Sequence, residues 1–256
     1  MIPLTLGIWL VYATTRTFSF SLLGSYVCAA LVVMLTPEWA LAVRVVVALV
    51  VAAVFAVMSN QLFQIFRRAG GGEATQIIAG LVVLELTLVM GTGFGLSEPT
   101  RMLDSPAGVW MRGLLGIVGL LSIVALLWGR LGHSLQRVID APILAAELGV
   151  PVERVELAAC VGGGLLCGAS ALLDSIDPAI GAGPRNVFPA AIQATLAVLL
   201  AVAMRGFSGY YAVAAVTVAV SVAGAAFAFL LPDGERLLCP VLLITWLLLR
   251  PGKVAK

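Results

Sequence analysis

Long apolar runs separated by short polar joints repeat along the whole chain. Stretches such as Val45–Val57 and Leu196–Ala203 show no two-residue alternation, the pattern that a membrane barrel strand would need. Backbone groups in hydrocarbon must find internal partners, so unalternating runs read as helices. Candidates fall at 2–14, 18–36, 39–58, 75–96, 107–128, 155–173, 187–204, 208–231 and 237–249. A bilayer core takes about 20 apolar residues per helix, so the first and last runs are short for a full crossing. The pattern predicts an all-α integral membrane protein, a polytopic bundle of about eight or nine transmembrane helices forming a single domain over residues 1–256.

Composition agrees with this. Of 256 residues, 61% are hydrophobic and 11% charged, against roughly 25% charged in soluble domains. The mean hydropathy is +1.11. A soluble fold could not hide so much apolar surface, and lipid is the expected solvent. A net charge of +2 without any Lys/Arg-rich run excludes a nucleic-acid partner. Cys28, Cys160, Cys167 and Cys239 lie in or beside apolar runs at spacings that fit no metal site, and read as small buried hydrophobes. Met1–Tyr12 lacks a basic n-region and reads as a first helix rather than a cleaved signal peptide.

Cytoplasmic loops collect Lys and Arg. With the C-terminus inside, Arg16, Arg67, Arg68, Arg130, Arg137, Arg154, Arg205, Arg250, Lys253 and Lys256 fall inside, against Arg101, Arg112, Arg185 and Arg236 outside. The bias predicts a multi-pass membrane protein with its N-terminus outside and its C-terminus in the cytoplasm.

The longest polar segment, about 129–156, is then cytoplasmic. Its apolar residues Leu131, Leu135, Val138, Ile139, Ile143, Leu144 and Leu148 recur at three- and four-residue steps. That spacing predicts a short amphipathic helix or helix pair, broken near Pro142 and ended at Gly149 with Pro151 beyond. Two roles fit the periodicity: a helix lying on lipid headgroups, or one that docks into a groove on a cytoplasmic partner.

Here the sequence resembles a known family. Arg130-Leu131-Gly132, Asp140, Ala145, Leu148-Gly149-Val150 and Glu153-Arg154-Val155 are similar to the cytoplasmic loop of the branched-chain amino acid permeases of ABC importers. Ile176-Asp177-Pro178-Ala179-Ile180-Gly181, Leu248-Leu249-Arg250-Pro251-Gly252, Gly24-Ser25-Tyr26-Val27 and, more weakly, Gln76–Leu81 continue the similarity in order along the chain. The resemblance implies a single transmembrane permease domain whose loop forms a coupling helix, with Arg130, Gly132, Asp140, Ala145, Leu148, Gly149 and Arg154 as ATPase-coupling residues. It further implies a second permease subunit, identical or homologous, cytoplasmic ATPase subunits and an extracytoplasmic solute-binding protein. This chain has no P-loop and is no enzyme in itself; ATP and magnesium would be held by the ATPase, and no cofactor by this chain. The sequence departs from the family at Thr17–Leu23, where an Asn-Phe-Ala-His-Gly segment is usual, and at Arg205–Gly209, a reduced Gly-rich turn. A divergent member carrying urea, an amide or a sugar is therefore an alternative to one for branched-chain amino acids.

Glu85 is the one carboxylate deep in a predicted span. An unpaired charge there costs at least about 2.5–3.5 kcal/mol, so it should face protein or water. It reads either as a pathway group or as a neutral acid hydrogen-bonded to a neighbouring helix, and it is the one group an ion-coupled secondary transporter could use. Arg44, near the outer end of its span, can snorkel. His133 reads as solvated helix surface, and a single histidine without an HExxH motif argues against a membrane-embedded metalloenzyme. Gly70–Gly72 lacks the Lys-Ser/Thr of a phosphate loop and reads as a linker; Gly91–Gly95 closes a span. Ala158, Ala159, Gly162–Gly164, Gly168 and Ala169 predict a smooth helix face for close packing.

Overall fold

The computed structural model describes residues 2–17, 19–94, 130–176, 184–205, 213, 215–216 and 218–220. The predicted segments 107–128 and 237–249, and most of 208–231, lie outside them. Every described element is a helix: α1 (Ile2–Thr15), α2 (Leu22–Leu35), α3 (Leu41–Arg68), α4 (Glu73–Gly93), α5 (Arg130–Asp140), α6 (Pro142–Glu147), α7 (Val152–Ile176) and α8 (Pro184–Arg205). Leu41–Arg68, Ala74–Gly93 and Val152–Ile176 are long and apolar enough to cross a membrane, as expected for a helical membrane protein.

The bundle is built around α7, against which α1, α2 and α3 all pack. Its small-residue face explains why. A side chain added at Gly163 would meet Val11 Cγ2 at 2.8 Å and the Gly7 carbonyl at 3.0 Å, and one at Gly164 would collide with Ala56. Across that contact α3 presents Ala48, Ala52 and Ala56, buried at four-residue steps, while Val46, Val50, Val54 and Met58 on its opposite face are each more than half exposed. Large apolar side chains outside and small ones inside is the arrangement expected where lipid tails are the solvent and close backbone approach drives association.

The second segment departs from the sequence-based expectation of a helix over 18–36. Helix α2 begins only at Leu22, because the hydroxyl-rich stretch before it satisfies its own backbone. Thr15 Oγ1 donates to Thr17 O at 3.1 Å, the Thr17 amide approaches Thr15 Oγ1 at 3.3 Å, and Ser19 and Ser21 share a hydroxyl contact of 2.9 Å. Such local bonds compete with the helical ladder. The first amides of α2 then close three-residue turns onto Ser19, Phe20 and Ser21. Phe20 and Ser21 lie beside Gly80, a third of the way along α4, so this non-helical stretch is inside the bundle. Helix α3, in turn, runs ten residues past the predicted limit of 58, to Arg68.

The segment 130–151 folds as the expected helix pair. Ala141 leaves the helical region at φ −151° before Pro142 opens α6, a position where a missing N–H is harmless. Gly149 ends α6 at φ +78°, with its own amide on Ala146 O and that of Val150 on Ala145 O, both 3.0 Å. That pair of bonds is the Schellman closure, which favours glycine.

Candidate functional site

One end of the bundle is basic. Arg16, at the foot of α1, donates to the Ile139 carbonyl of α5. Arg67 at the end of α3 pairs with Glu156 in the first turns of α7 at 3.0 Å, and Arg68 lies 3.7 Å from Glu153. Desolvation draws the Arg16 guanidinium below its ordinary value, with Tyr12 and Asp140 acting in the opposite direction; it remains protonated. Arg16 itself sits at φ 60°, a left-handed conformation that costs a non-glycine residue about 1–2 kcal/mol. Its amide bonds Tyr12 O at 2.9 Å, so the turn that reverses the chain is held by both backbone and side chain.

Just inside this end lies a cavity walled by α1, the non-helical stretch, α3, α4 and α7. Its polar lining comes from Thr15, Thr17, Ser19, Ser59, Asn60, Gln64, Arg67 and Gln76. Some 20 Å³ is open to the centre of a water, above the roughly 10–15 Å³ that one water requires. Asn60 is 5% exposed, and its amide nitrogen has no hydrogen-bond partner among the described residues. Ser59 and Gln76 are nearly as buried. The cavity escaped sequence reading because its polar residues come from distant segments, each of which reads alone as an ordinary interruption of an apolar run.

The loop residues predicted to couple to a partner separate into two groups. Gly132 and Ala145 are buried, Ala145 at 2%, and Leu135, Val138 and Ile139 are turned into the bundle. Asp140, Leu148, Gly149 and Arg154 are exposed; Arg130 opens α5. The apolar stripe read as one face is thus divided. Its first half anchors α5 to this chain, and Ile143, Leu144 and Leu148 point outward at 78%, 55% and 66% exposure. Ala145 is a mounting residue beneath that surface and does not form part of it.

Glu85 is exposed on α4 among the equally exposed Leu81, Val82, Leu86 and Val89, and does not line the cavity. Arg44 does not snorkel. It is 8% exposed and its Nη2 donates to the Val33 carbonyl at 2.7 Å, capping the last turn of α2, where carbonyls lack helical partners. Tyr26, in the first turns of α2, donates to Asp174 in the last turn of α7 at 2.8 Å. His133 is exposed on α5, and Cys28, Cys160 and Cys167 are free thiols in the bundle. Gly70, at φ +80°, closes α3 in a plain turn. No group of metal-binding side chains occurs among the described residues.

No protein-family model, curated protein or solved structure matches the chain.

Proposed function

We propose that the chain is the membrane-spanning permease subunit of an ABC importer. It crosses the inner membrane about eight or nine times, with its basic end cytoplasmic, and passes a small solute while separate ATPase subunits hydrolyse ATP. The observation that carries this reading is the outward apolar knuckle Ile143, Leu144 and Leu148 on a short helix. That helix is fixed to the basic end by buried Ala145 and by α5. A helix merely resting on headgroups has no need of a buried anchor, whereas a helix that transmits force to or from a partner does. The first turns of α7 follow α6 after only a few residues, so a push on the knuckle reaches the helix around which the bundle is packed.

Glu85 supports the requirement for a second membrane subunit. A carboxylate on an otherwise apolar outward face is costly against lipid, and a neighbouring subunit can supply its hydrogen-bond partner. The same placement weakens the ion-coupled alternative, which needs an ionisable group in the path.

The test is a photo-crosslinking residue at Ile143, introduced into the chain in its native membrane. A crosslinked species carrying the sequence of a soluble ATP-binding subunit, lost in Leu144→Glu at unchanged membrane abundance, is the expected result. Crosslinks to lipid alone remove the coupling role.

A further inference from the structure

Just inside the basic end lies the cavity that Asn60 lines. Its chemistry is unusual for the interior of a membrane bundle: hydroxyls from Thr17, Ser19 and Ser59 and amides from Asn60 and Gln76, gathered from three separate segments. Polar groups inside a bundle normally satisfy one another or the nearest backbone carbonyl. Thr14, Thr36, Thr87 and Ser175 in this chain do so, each bonding a carbonyl a turn behind. Asn60 does not. Its amide nitrogen is 95% buried as a residue, unpartnered, and set in the wall of a space large enough to admit a guest. A buried donor left without a partner is destabilising, and an acceptor brought into this space would satisfy it.

The charge pattern restricts the occupant. Among the described lining residues Arg67 is the single charged group, and it already holds Glu156 at 3.0 Å. No unpaired charge remains among the described lining residues to neutralise an ion, and an ion without a counter-charge is disfavoured in such a site. Hydroxyls and carboxamides, by contrast, offer donors and acceptors in alternation.

We infer that the cavity around Asn60 is a binding site for an uncharged, hydrogen-bonding solute, one that presents both an acceptor and a donor. Asn60 donates to the solute's carbonyl or hydroxyl oxygen, and Ser59 and Gln76 complete its hydrogen bonds. Arg67, paired with Glu156, also lines the site. The permease reading says what such a site is for, but binding itself does not depend on that reading.

Three near-isosteric probes that differ in charge and in their donors and acceptors separate the possibilities: acetamide, acetate and acetamidinium, at matched ionic strength, against the full chain in lipid nanodiscs. Acetamide is expected to raise the apparent melting temperature saturably, and the two ions are not. Asn60→Leu, which keeps the volume and removes the donor, abolishes the shift. Should that variant fail to fold, radiolabelled acetamide bound to the wild-type chain, displaced by unlabelled acetamide and not by the ions, gives the same answer. A saturable effect of acetate or acetamidinium in place of acetamide overturns the assignment. So does an unsaturable acetamide effect, one that persists in Asn60→Leu, or no binding of any probe. Loss of the crosslink at Ile143 with acetamide binding intact removes the permease role and leaves the site; the reverse removes the site alone.

Discussion

The Tyr26 hydroxyl donates to the Asp174 carboxylate at 2.8 Å, joining the first turns of α2 to the last turns of α7. Tyr26 is 1% exposed, and the ring reaches between two helices that run in the same direction, as the pairing of Ser25 with Gly164 and Ala29 with Gly168 shows. Their sequence separation means the bond reports on tertiary assembly and not on either helix alone. Tyr26→Phe keeps the packing and removes the donor, so it should lower stability by about 1–3 kcal/mol, the range for losing a buried bond to a charged or polar acceptor. Asp174→Asn, which still offers an oxygen, should be milder. Thermal unfolding followed by size-exclusion yield distinguishes them; equal yields for Tyr26→Phe and wild type would mean the bond contributes nothing.

A second prediction concerns the close approach of α3 and α7. The position of Gly164 cannot take a side chain without striking Ala56, and the Ala52 carbonyl lies 3.0 Å from the same point. Gly164→Ala should therefore destabilise by about 1–3 kcal/mol through overpacking, and Gly164→Val should leave little folded protein. Combining Gly164→Ala with Ala56→Gly should recover part of the loss, since the two methyl groups compete for one space. A double variant no better than Gly164→Ala alone would locate the strain at the Ala52 carbonyl instead.

The Arg67–Glu156 pair is asymmetric: the Arg67 side chain is 41% exposed and that of Glu156 7%. Removing the arginine leaves a buried carboxylate, whereas removing the glutamate leaves a guanidinium that water can reach. Arg67→Gln should thus cost more than Glu156→Gln, about 1–3 kcal/mol, between the values for exposed and buried pairs. Thermal melts of the two single variants measure the difference. Equal losses would show that solvent reaches both partners alike.

The apolar runs made α3, α4 and α7 legible in the sequence, because length and unbroken hydrophobicity are local properties. The Pro142 break and the Gly149 stop were legible for the same reason: each is set by one residue's backbone chemistry. The start of α2 was not, since apolar content alone hides the competition that Thr15, Thr17, Ser19 and Ser21 set up for the backbone. Periodicity placed Ile139 and Ile143 in one stripe but could not say that the chain's own bundle covers the first and leaves the second exposed. Arg44 was read from its distance to the end of its span, yet the Val33 carbonyl, eleven residues before it, decides its direction. The cavity at Asn60 depends on distant segments meeting, which no local pattern encodes.

Gly149 offers the cleanest separation of coupling from folding. It holds φ +78°, and a side chain built on it would meet nothing within 4 Å, so the effect of any substitution is confined to the backbone. Asparagine visits this region with little penalty, alanine at a cost of about 1–2 kcal/mol, and a β-branched residue hardly at all. The residues that anchor α5 and α6, among them Ile139 and Ala145, precede the turn, while α7 follows it. A strained turn should accordingly re-aim α6 against α7 and leave the bundle itself assembled. Gly149→Asn is expected to keep both the melting temperature and the crosslink at Ile143; Gly149→Val should keep most of the bundle's stability but lose the crosslink and solute-stimulated ATP hydrolysis. If Gly149→Val unfolds the bundle, the turn belongs to the fold. If it leaves the crosslink and ATP hydrolysis untouched, the angle between α6 and α7 does not govern docking.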